Sequence, residues 1–378
     1  MVDLKQVLTL ALQRKASDVH LKVGLPPILR INGKLVPITG EKRLMPEDTR
    51  DLAFSIMQDR QKEKFRQTNE VDLAYGISGL GRFRVNIFSQ RDSIGMVLRT
   101  ISVNPPTIEE LNLPEIIGKI ADENRGLVLV TGTTGSGKST TLAAMINYIN
   151  NNRNCHIITI EDPIEFLHRD KKAIINQREV GQDSQTFATA LRVALRQDPD
   201  VILVGEMRDF ETIDTAILAA ETGHLVFSTL HTLDAQETIN RIVAVFPFQQ
   251  QKQIRLQLST IIKGVISQRL VSRADGTGRL PAVEVMLSTA RIRECIAEEL
   301  KTREIHDAVS QGHATYGMQT FDQSLMALFR GGLITYEEAL RSASNPDDFA
   351  LKVSGISGTS ESRWKSEDEG SDVELQFE

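Results

Sequence analysis

The 378-residue sequence contains little cysteine, few aromatic residues and no long apolar run. Its two cysteines, Cys155 and Cys295, are far apart and form no CxxC pair, which excludes a four-cysteine zinc site. Aromatic residues make up 5% of the chain, too few for a platform that stacks the bases of single-stranded nucleic acid. No apolar run approaches the roughly 18 residues of a membrane-spanning helix, so the sequence predicts no direct insertion into a membrane.

Net charge is also small over most of the chain. The net charge is -6, and residues 345–378, with nine acidic and three basic side chains, account for all of it. Residues 1–344 are therefore close to neutral, whereas a nucleic-acid-binding protein normally carries a strongly basic groove. The first residues, MVDLKQVLTLALQRK, lack the features of a signal peptide, so we expect a cytoplasmic protein whose contact with a membrane depends on partners.

The first hundred residues combine helical and strand patterns. An amphipathic helix is predicted after its N-cap Asp3, and a second helix opens at Pro46. Strand-like alternation follows each helix, and the dipeptide Asn32-Gly33 predicts a hairpin turn. Two helices among about five antiparallel strands indicate a small α+β domain over residues 1–101.

A different pattern begins after residues 102–114, a segment with three prolines that we interpret as an interdomain linker. Short apolar runs then alternate with helical segments, which is typical of a parallel sheet covered on both faces. These runs are LVLVT, HIITI, VILVG and LVFSTL. Residues 115–345 are therefore predicted to form a doubly wound α/β domain that is helical from residue 248 onwards. Residues 346–378 are expected to be an acidic disordered tail.

The most specific signal is a complete GxxxxGK[ST] loop between an apolar strand and a helical segment. The backbone N–H groups of such a loop wrap the phosphates of ATP, and the N-terminus of the following helix adds a favourable dipole. Lys138 is predicted to reach the β- and γ-phosphates, and Ser139 to bind Mg²⁺. The predicted nucleotide-binding residues are Gly132, Thr133, Thr134, Gly135, Ser136, Gly137, Lys138, Ser139 and Thr140.

Two further strands end in carboxylates that are expected beside this loop. Glu206 follows the apolar residues 201–204, where a carboxylate can orient and deprotonate an attacking water. The alternative is that Glu206 only pairs with a basic neighbour such as Arg208. Glu161 and Asp162 end another strand and are candidates to hold Mg²⁺, water or an arginine, although Glu-Asp-Pro is also an ordinary turn.

Histidines and arginines give weaker signals. His224 and His231 bracket the strand LVFSTL, so this pair is not expected to bind a metal; sensing of the γ-phosphate and a structural role are both open. In the first domain, Arg82 and Arg84 lie on one face of a predicted strand, and Arg99 lies on the next. From the residues alone we favour solvated arginines, the alternative being that they complete the site of a neighbouring subunit.

Four motifs in this order resemble the secretion and type IV pilus ATPases of the PilT/GspE superfamily. They are TGTTGSGKSTT, ITIEDPIEF, LRQDPDVILVGEMRDFETI and AAETGHLVFSTLHT, which correspond to the Walker A, Asp, Walker B and His boxes of that family. The resemblance covers nearly the whole chain, including ASDVHL near its start and GRFRVN in the first domain. It implies a RecA-like P-loop NTPase core preceded by a smaller PAS-like α+β domain.

The resemblance also implies roles for individual residues. The implied catalytic or nucleotide-sensing residues are Glu206, Glu161, His231, His224, Arg84 and Arg99. Arg82 matches the nucleotide-contacting arginines of the family less well. ATP and Mg²⁺ are the implied cofactors, with Ser139 as a ligand of the metal and Asp162 close to it. Because family members assemble into hexameric rings with nucleotide between subunits and domains, a homohexamer is expected.

The branch of the family is indicated by absent features. The extension and secretion branches usually carry an extra N-terminal domain and a four-cysteine zinc motif, and this sequence shows neither. We therefore expect the retraction branch, whose members drive pilus disassembly and twitching motility from the cytoplasmic face of the inner membrane. The implied partners are the inner-membrane platform protein of the pilus and a paralogous retraction ATPase, with no nucleic acid.

Three alternatives stay open at this point. The stretch 290–305 departs from the C-terminal motif of the retraction branch at Glu294 and Ala297, which is compatible with an accessory paralogue of the retraction ATPase. A pilus extension or type II secretion assembly ATPase would keep the same fold. A RecA-like DNA translocase would belong to another functional class and would require hydrolysis that DNA stimulates.

Overall fold

The computed structural model of the chain describes residues 2–31, 33–102 and 104–355. They form a smaller N-terminal domain around an antiparallel sheet and a larger domain around a mostly parallel sheet. The predicted fold class, an α/β core preceded by a small α+β domain, is confirmed. No helix in the described part of the chain is long and apolar enough to cross a lipid bilayer.

The N-terminal domain packs its helices against one face of its sheet. The helices are α1 (Leu4–Gln13), α2 (Pro46–Ile56) and α3 (Asp59–Thr68), and the strands are β1 (Asp18–Leu21), β2 (Ile28–Ile31), β3 (Lys34–Pro37), β4 (Glu70–Ile77), β5 (Gly81–Gln90) and β6 (Ser93–Ile101). The strand order is β3-β2-β1-β6-β5-β4. Asp3 caps α1, and Pro46 opens α2, as the sequence predicts. Leu8, Phe83 and Leu98 lie at the centre of the resulting core.

The larger domain is built on a sheet in the order β13-β12-β7-β11-β10-β8-β9. Its strands are β7 (Gly126–Thr131), β8 (His156–Glu161), β9 (Ile174–Glu179), β10 (Val201–Val204), β11 (Leu225–Leu230), β12 (Ile262–Ser272) and β13 (Arg279–Leu287). All of them pair in parallel except β13, which runs antiparallel to β12. The four apolar runs of the sequence form β7, β8, β10 and β11, so the predicted parallel sheet is confirmed.

Helices cover both faces of this sheet. They are α4 (Ile116–Ala121), α5 (Lys138–Asn152), α6 (Phe187–Ala194), α7 (Phe210–Glu221), α8 (Ala235–Ala244), α9 (Phe248–Ile261), α10 (Ala290–Ala297), a 3₁₀ helix (Glu299–Glu304), α11 (Ile305–Gln311), α12 (His313–Tyr316), α13 (Phe321–Arg330), α14 (Tyr336–Ser342) and α15 (Pro346–Val353). One face carries α4 and α5, and the other carries α6 to α10. Ile108 and Leu113, from the predicted linker, are buried on the α5 side, so this part of the linker packs with the larger domain.

The prediction that the chain is helical from residue 248 to 345 is wrong in part. Helix α9 ends at Ile261, and β12 begins at the next residue. Val265 and Ile266 keep a helical spacing with the residues of α9, but β12 is buried between β7 and β13. A strand buried on both faces has nearly continuous apolar residues, and such a run does not distinguish a helix from a strand.

The prediction of a disordered tail is wrong for its first residues. Pro346–Val353 forms α15, whose N-cap Asn345 accepts the backbone N–H of Asp348. Phe349 is buried between the β12–β13 hairpin and the helices that precede α15. Removal of all residues beyond 345 is therefore expected to uncover this cluster rather than to be neutral. Residues 356–378 of the predicted tail lie outside the described residues.

Replacement of Phe349 by Leu should lower the free energy of unfolding by about 1 kcal/mol, because the smaller side chain leaves a void in a packed cluster. Urea denaturation of the full chain measures this change. Leu351, in the same helix, is 49% exposed, and Leu351→Ala is the matched control that should have little effect. Equal stability of Phe349→Leu and the unmodified chain would show that α15 contributes no packing energy.

Candidate nucleotide-binding site

The predicted phosphate loop connects the buried strand β7 to the start of α5. Gly132 and Gly137 have φ angles of 137° and 92°, which favour glycine. A Cβ atom on Gly132 would lie 2.4 Å from the carbonyl oxygen of Gln268, and one on Gly137 would lie 2.7 Å from its Nε2. The loop is thus fixed closely against β12.

Lys138 extends from the first turn of α5 back over this loop. Its Nζ donates hydrogen bonds to the carbonyl oxygens of Gly132, at 2.8 Å, and Thr133, at 2.9 Å. Burial lowers the pKa of Lys138, an effect that the charge of Glu206 opposes. The hydroxyl of Ser136 is buried and has no hydrogen-bond partner among the described residues, which leaves a polar group available inside the loop.

The loop forms one wall of a cleft of about 540 Å³ at the carboxyl end of the parallel sheet. Because β7, β8, β10 and β11 are parallel, the residues that follow each strand meet at this edge. Predicted site residues that line the cleft are Thr134, Gly135, Gly137, Lys138, Ser139, Thr140, Glu161, Asp162, Glu206 and His231. The structure therefore brings the Walker A, Asp and Walker B boxes together with one histidine of the His box.

Glu206 lies two residues beyond the end of β10. Its Oε2 is 2.8 Å from Nε of Arg208 and 3.6 Å from Nε2 of His231, and its side chain is 17% exposed. The structure thus contains the ion pair that the sequence offered as the alternative to catalysis. Only one carboxylate oxygen takes part in it. A sheltered carboxylate beside the phosphate loop can also accept a proton from water.

Glu161 is held by side chains that the sequence did not single out. Its Oε1 accepts hydrogen bonds from Oγ1 of Thr159, at 2.6 Å, and from Nε2 of Gln177, at 3.1 Å. Burial raises the pKa of Glu161, and these hydrogen bonds oppose the shift. Thr159 shares a strand face with Glu161, so the period of a strand could have indicated it. Gln177 comes from the neighbouring strand β9, and no local pattern connects the two residues.

The two predicted histidines lie at opposite ends of β11. His231 follows the strand and lines the cleft, whereas His224 precedes the strand and pairs through Nδ1 with the carbonyl oxygen of Ala219 at 2.9 Å. Six strand residues separate them, which corresponds to roughly 20 Å. Within one chain, therefore, only His231 of the two lies beside the cleft, because a residue before a parallel strand lies at the sheet edge opposite the phosphate loop; the implied role of His224 stays a prediction.

The predicted arginines of the N-terminal domain also lie outside the cleft of their own chain. Arg84 and Arg99 are directly opposite each other on β5 and β6. Arg84 is exposed, and Arg99 donates through Nε to Asp18 at 2.9 Å while its side chain stays 67% exposed. Arg82, two residues before Arg84, pairs with Glu179 of the larger domain at 3.2 Å. Arg84 and Arg99 are thus exposed at the surface of the domain.

Strand β12 supplies a support for the loop that the sequence did not predict. Gln268 is buried, and its Oε1 accepts a hydrogen bond of 2.8 Å from Oγ1 of Thr141 in α5. The residue therefore contacts the phosphate loop on one side and the helix that follows it on the other. It was missed because this part of the chain was predicted to be helical.

Carboxylates are abundant around the cleft, but they do not form a closed cage. No group of three or more His, Cys, Asp and Glu residues within the described ranges is arranged to hold a metal ion by itself. Oxygen donors that line the cleft with the loop include Ser139, Asp162 and Glu161. Such a donor set suits a hard cation that takes its remaining ligands from water and a phosphate.

Comparison with known proteins identifies the family of the chain. Residues 1–341 match the family described as Type II/IV secretion system protein. The type IV pilus retractation ATPase PilT of Pseudomonas aeruginosa is 47% identical over 348 residues, which cover 92% of this chain and 100% of that protein. The type IV pilus ATPase PilU of the same organism is 43% identical over 93% of this chain and 91% of that protein.

A solved structure gives the same result. The crystal structure of the pilus retraction motor PilT with bound ADP has a TM-score of 0.83 to this chain at 46% identity, covering 92% of this chain and 98% of that one. The fold thus agrees with the sequence comparison. The chain therefore belongs to the type II/IV secretion system protein family, as a PilT-like ATPase of the PilT/GspE superfamily.

Proposed function

We propose that this chain is the subunit of a hexameric, Mg²⁺-dependent ATPase that powers the disassembly and retraction of type IV pili, and hence twitching motility. The observation that carries the proposal is the identity of 47% to PilT of Pseudomonas aeruginosa over the full length of that relative. The geometry adds a cleft in which the phosphate loop meets Glu206. ATP is the substrate for which this combination is suited.

Within the cleft, we assign the phosphates to the loop amides and to Lys138, whose ammonium group would exchange the loop carbonyls for phosphate oxygens. The hydroxyl of Ser139 would hold Mg²⁺, with Asp162 close by, and Glu206 would orient and deprotonate the attacking water. A bound Mg²⁺ would neutralise part of the phosphate charge. The buried hydroxyl of Ser136, which lacks a partner among the described residues, fits a loop that closes around an anion.

Residues outside the cleft take their roles from the proposed ring. Arg84 and Arg99 are exposed side by side on the sheet of the N-terminal domain, and Arg99 is paired with Asp18. In a hexamer, such a pair can approach the nucleotide across a domain or subunit boundary and stabilise charge in the transition state. The pairing of His224 with the carbonyl oxygen of Ala219 favours a structural role for this histidine over sensing of the γ-phosphate.

The proposed setting is the cytoplasmic face of the inner membrane at the base of the pilus. The platform protein of the pilus would be the partner that the ring turns, and a PilU-like paralogue would be a second partner. Domain movement driven by ATP binding and release would supply the work. An assembly ATPase and a DNA translocase are the competing functions, and the following experiment distinguishes them.

A deletion strain should carry surplus surface pili and lose twitching, and the unmodified gene should restore both. Lys138→Ala should restore neither, because the loop then lacks the cation that binds the phosphates. Lys119→Ala, at an exposed lysine of α4, is the matched control and should restore both. Electron microscopy of pili and a surface-motility assay are the measurements. A strain without pili would instead indicate an assembly ATPase, and ATP hydrolysis stimulated by DNA would indicate a translocase.

A further inference from the structure

The N-terminal domain contacts the larger domain around the loop that follows Glu161. Nη2 of Arg82 in β5 lies 3.2 Å from Oε2 of Glu179, the last residue of β9. The backbone N–H of Leu167 donates to the carbonyl oxygen of Ser102, just after β6, at 2.9 Å. These contacts come from the domain and its linker, and both end on the segment 162–184 of the larger domain.

Glu179 has a special position in this segment because it stands directly beside Glu161. The two residues are register partners of the parallel strands β8 and β9, and the N–H of Val180 donates to the carbonyl oxygen of Glu161 at 2.8 Å. The backbone of Ile164 is near enough to this carboxylate to lower its pKa. One buried side chain thus lies between the strand end and the loop that carries the cleft residues Asp162 and Glu165.

The ion pair with Arg82 is sheltered from solvent. The side chain of Glu179 is 9% exposed, and that of Arg82 is 29% exposed. Burial raises the pKa of Glu179, and the guanidinium of Arg82 opposes this shift. A carboxylate that is buried without its cation is costly, so loss of Arg82 disfavours the charged form of Glu179, which the backbone of Ile164 also stabilises.

The loop is connected to Glu161 at its other end as well. Nε2 of Gln177 donates both to Oε1 of Glu161, at 3.1 Å, and to the carbonyl oxygen of Phe166, at 2.9 Å. Oε1 of Gln177 accepts the backbone N–H of His168 at 2.8 Å. A shift of residues 162–168 is therefore transmitted to the carboxylate of Glu161 through a single amide side chain.

We propose that Arg82 and Glu179 are positioning residues through which contact with the N-terminal domain holds residues 162–168, and with them the carboxylates of the cleft, in place for hydrolysis. This inference rests on the proposed ATPase site. When the N-terminal domain turns away, Arg82 leaves Glu179, the contact between Ser102 and Leu167 is lost, and the loop is released. When the domain returns, the ion pair restores the loop. This coupling requires no contact between Arg82 and the nucleotide.

A double-mutant cycle tests this coupling in the full chain. Arg82→Gln and Glu179→Gln should each lower kcat about tenfold with KM changed less than about twofold, and the double variant should match either single variant. Each should also speed amide hydrogen exchange in peptides that cover residues 162–168, because the loop loses its restraint. Slow exchange in β10 and β11 reports that each variant is folded. Steady-state ATP hydrolysis and exchange mass spectrometry supply the two measurements.

Arg66→Gln is the matched control, since Arg66 forms an ion pair with Glu63 in the same domain, at 63% and 60% exposure. It should change neither measurement. Additive effects of the two single variants would overturn the proposal, and so would unchanged exchange at 162–168. If Arg82 acted on nucleotide directly, only Arg82→Gln would lower kcat. If the unmodified chain did not hydrolyse ATP, the proposed function would fail, while the exchange measurement would still decide the coupling.

Discussion

Replacement of Glu206 by Gln is expected to lower kcat for ATP hydrolysis by at least about 100-fold while the affinity for ATP changes less than about threefold. The amide keeps the size of the side chain and one carbonyl oxygen that faces Arg208, but it does not accept a proton from water. The phosphate loop is anchored on β12, so we expect it to keep its conformation in this variant. Single-turnover hydrolysis and equilibrium binding of a fluorescent ATP analogue separate the two quantities.

Two further variants exclude the simpler interpretation of this result. If Glu206 served only to hold Arg208, to which it is paired at 2.8 Å, Arg208→Gln would reproduce the whole loss. We expect it to cause a much smaller one. Glu211→Gln changes a glutamate that is 54% exposed and forms a surface ion pair, and it should leave hydrolysis unchanged. Near-normal turnover of Glu206→Gln would contradict the catalytic assignment.

The parts of the site that the sequence predicts are those whose position follows from a local rule. The phosphate loop is defined by consecutive residues between a strand and a helix, so its structure is contained in the motif. Glu161 ends a strand of the parallel sheet, Glu206 and His231 each follow one, and the carboxyl ends of such strands meet at one edge. The same rule explains the position of His224, which precedes its strand and therefore lies at the opposite edge of the sheet, away from the cleft.

The parts that the sequence does not predict depend on pairing between distant segments. Gln177 supports Glu161 from an adjacent strand, and Gln268 supports the loop from β12. Neither belongs to a motif, and both are placed by sheet register. Strand β12 itself was predicted as helix, because its burial on both faces removes the alternation that identifies a strand. Helix α15 was missed because one buried residue, Phe349, attaches it to the core.

Glu284 on β13 also connects segments that are distant in the sequence. It is 4% exposed, and its Oε1 accepts the backbone N–H of Ala235, the first residue of α8, at 2.8 Å. The hydroxyl of Ser267 lies 3.4 Å from the same oxygen and in turn accepts from Thr131, the residue before the phosphate loop, at 3.1 Å. One buried carboxyl group thus connects α8, which follows His231, with the strands that carry the loop.

Burial raises the pKa of Glu284 from 4.5 to about 7, with a further upward contribution from Asp234 and opposing ones from the Ala235 N–H, Ser267 and His306. A raised pKa means that the folded protein binds this proton more tightly than the unfolded chain does. The stabilisation is therefore complete below pH 4.5 and is lost as the pH rises to about 7. The shift corresponds to about 3 kcal/mol at this one site.

Replacement of Glu284 by Gln should remove this dependence, because the amide keeps an acceptor for Ala235 and does not ionise. The difference in unfolding free energy between Glu284→Gln and the unmodified chain should move in favour of the variant by about 2 to 3 kcal/mol between about pH 5 and pH 8. Urea denaturation across this range measures it, with Glu63→Gln, at a side chain that is 60% exposed, as the control. A difference that stays constant with pH would show that Glu284 is already ionised in the folded protein at low pH. The connection from α8 to the phosphate loop would then depend on a permanent buried charge rather than on a proton.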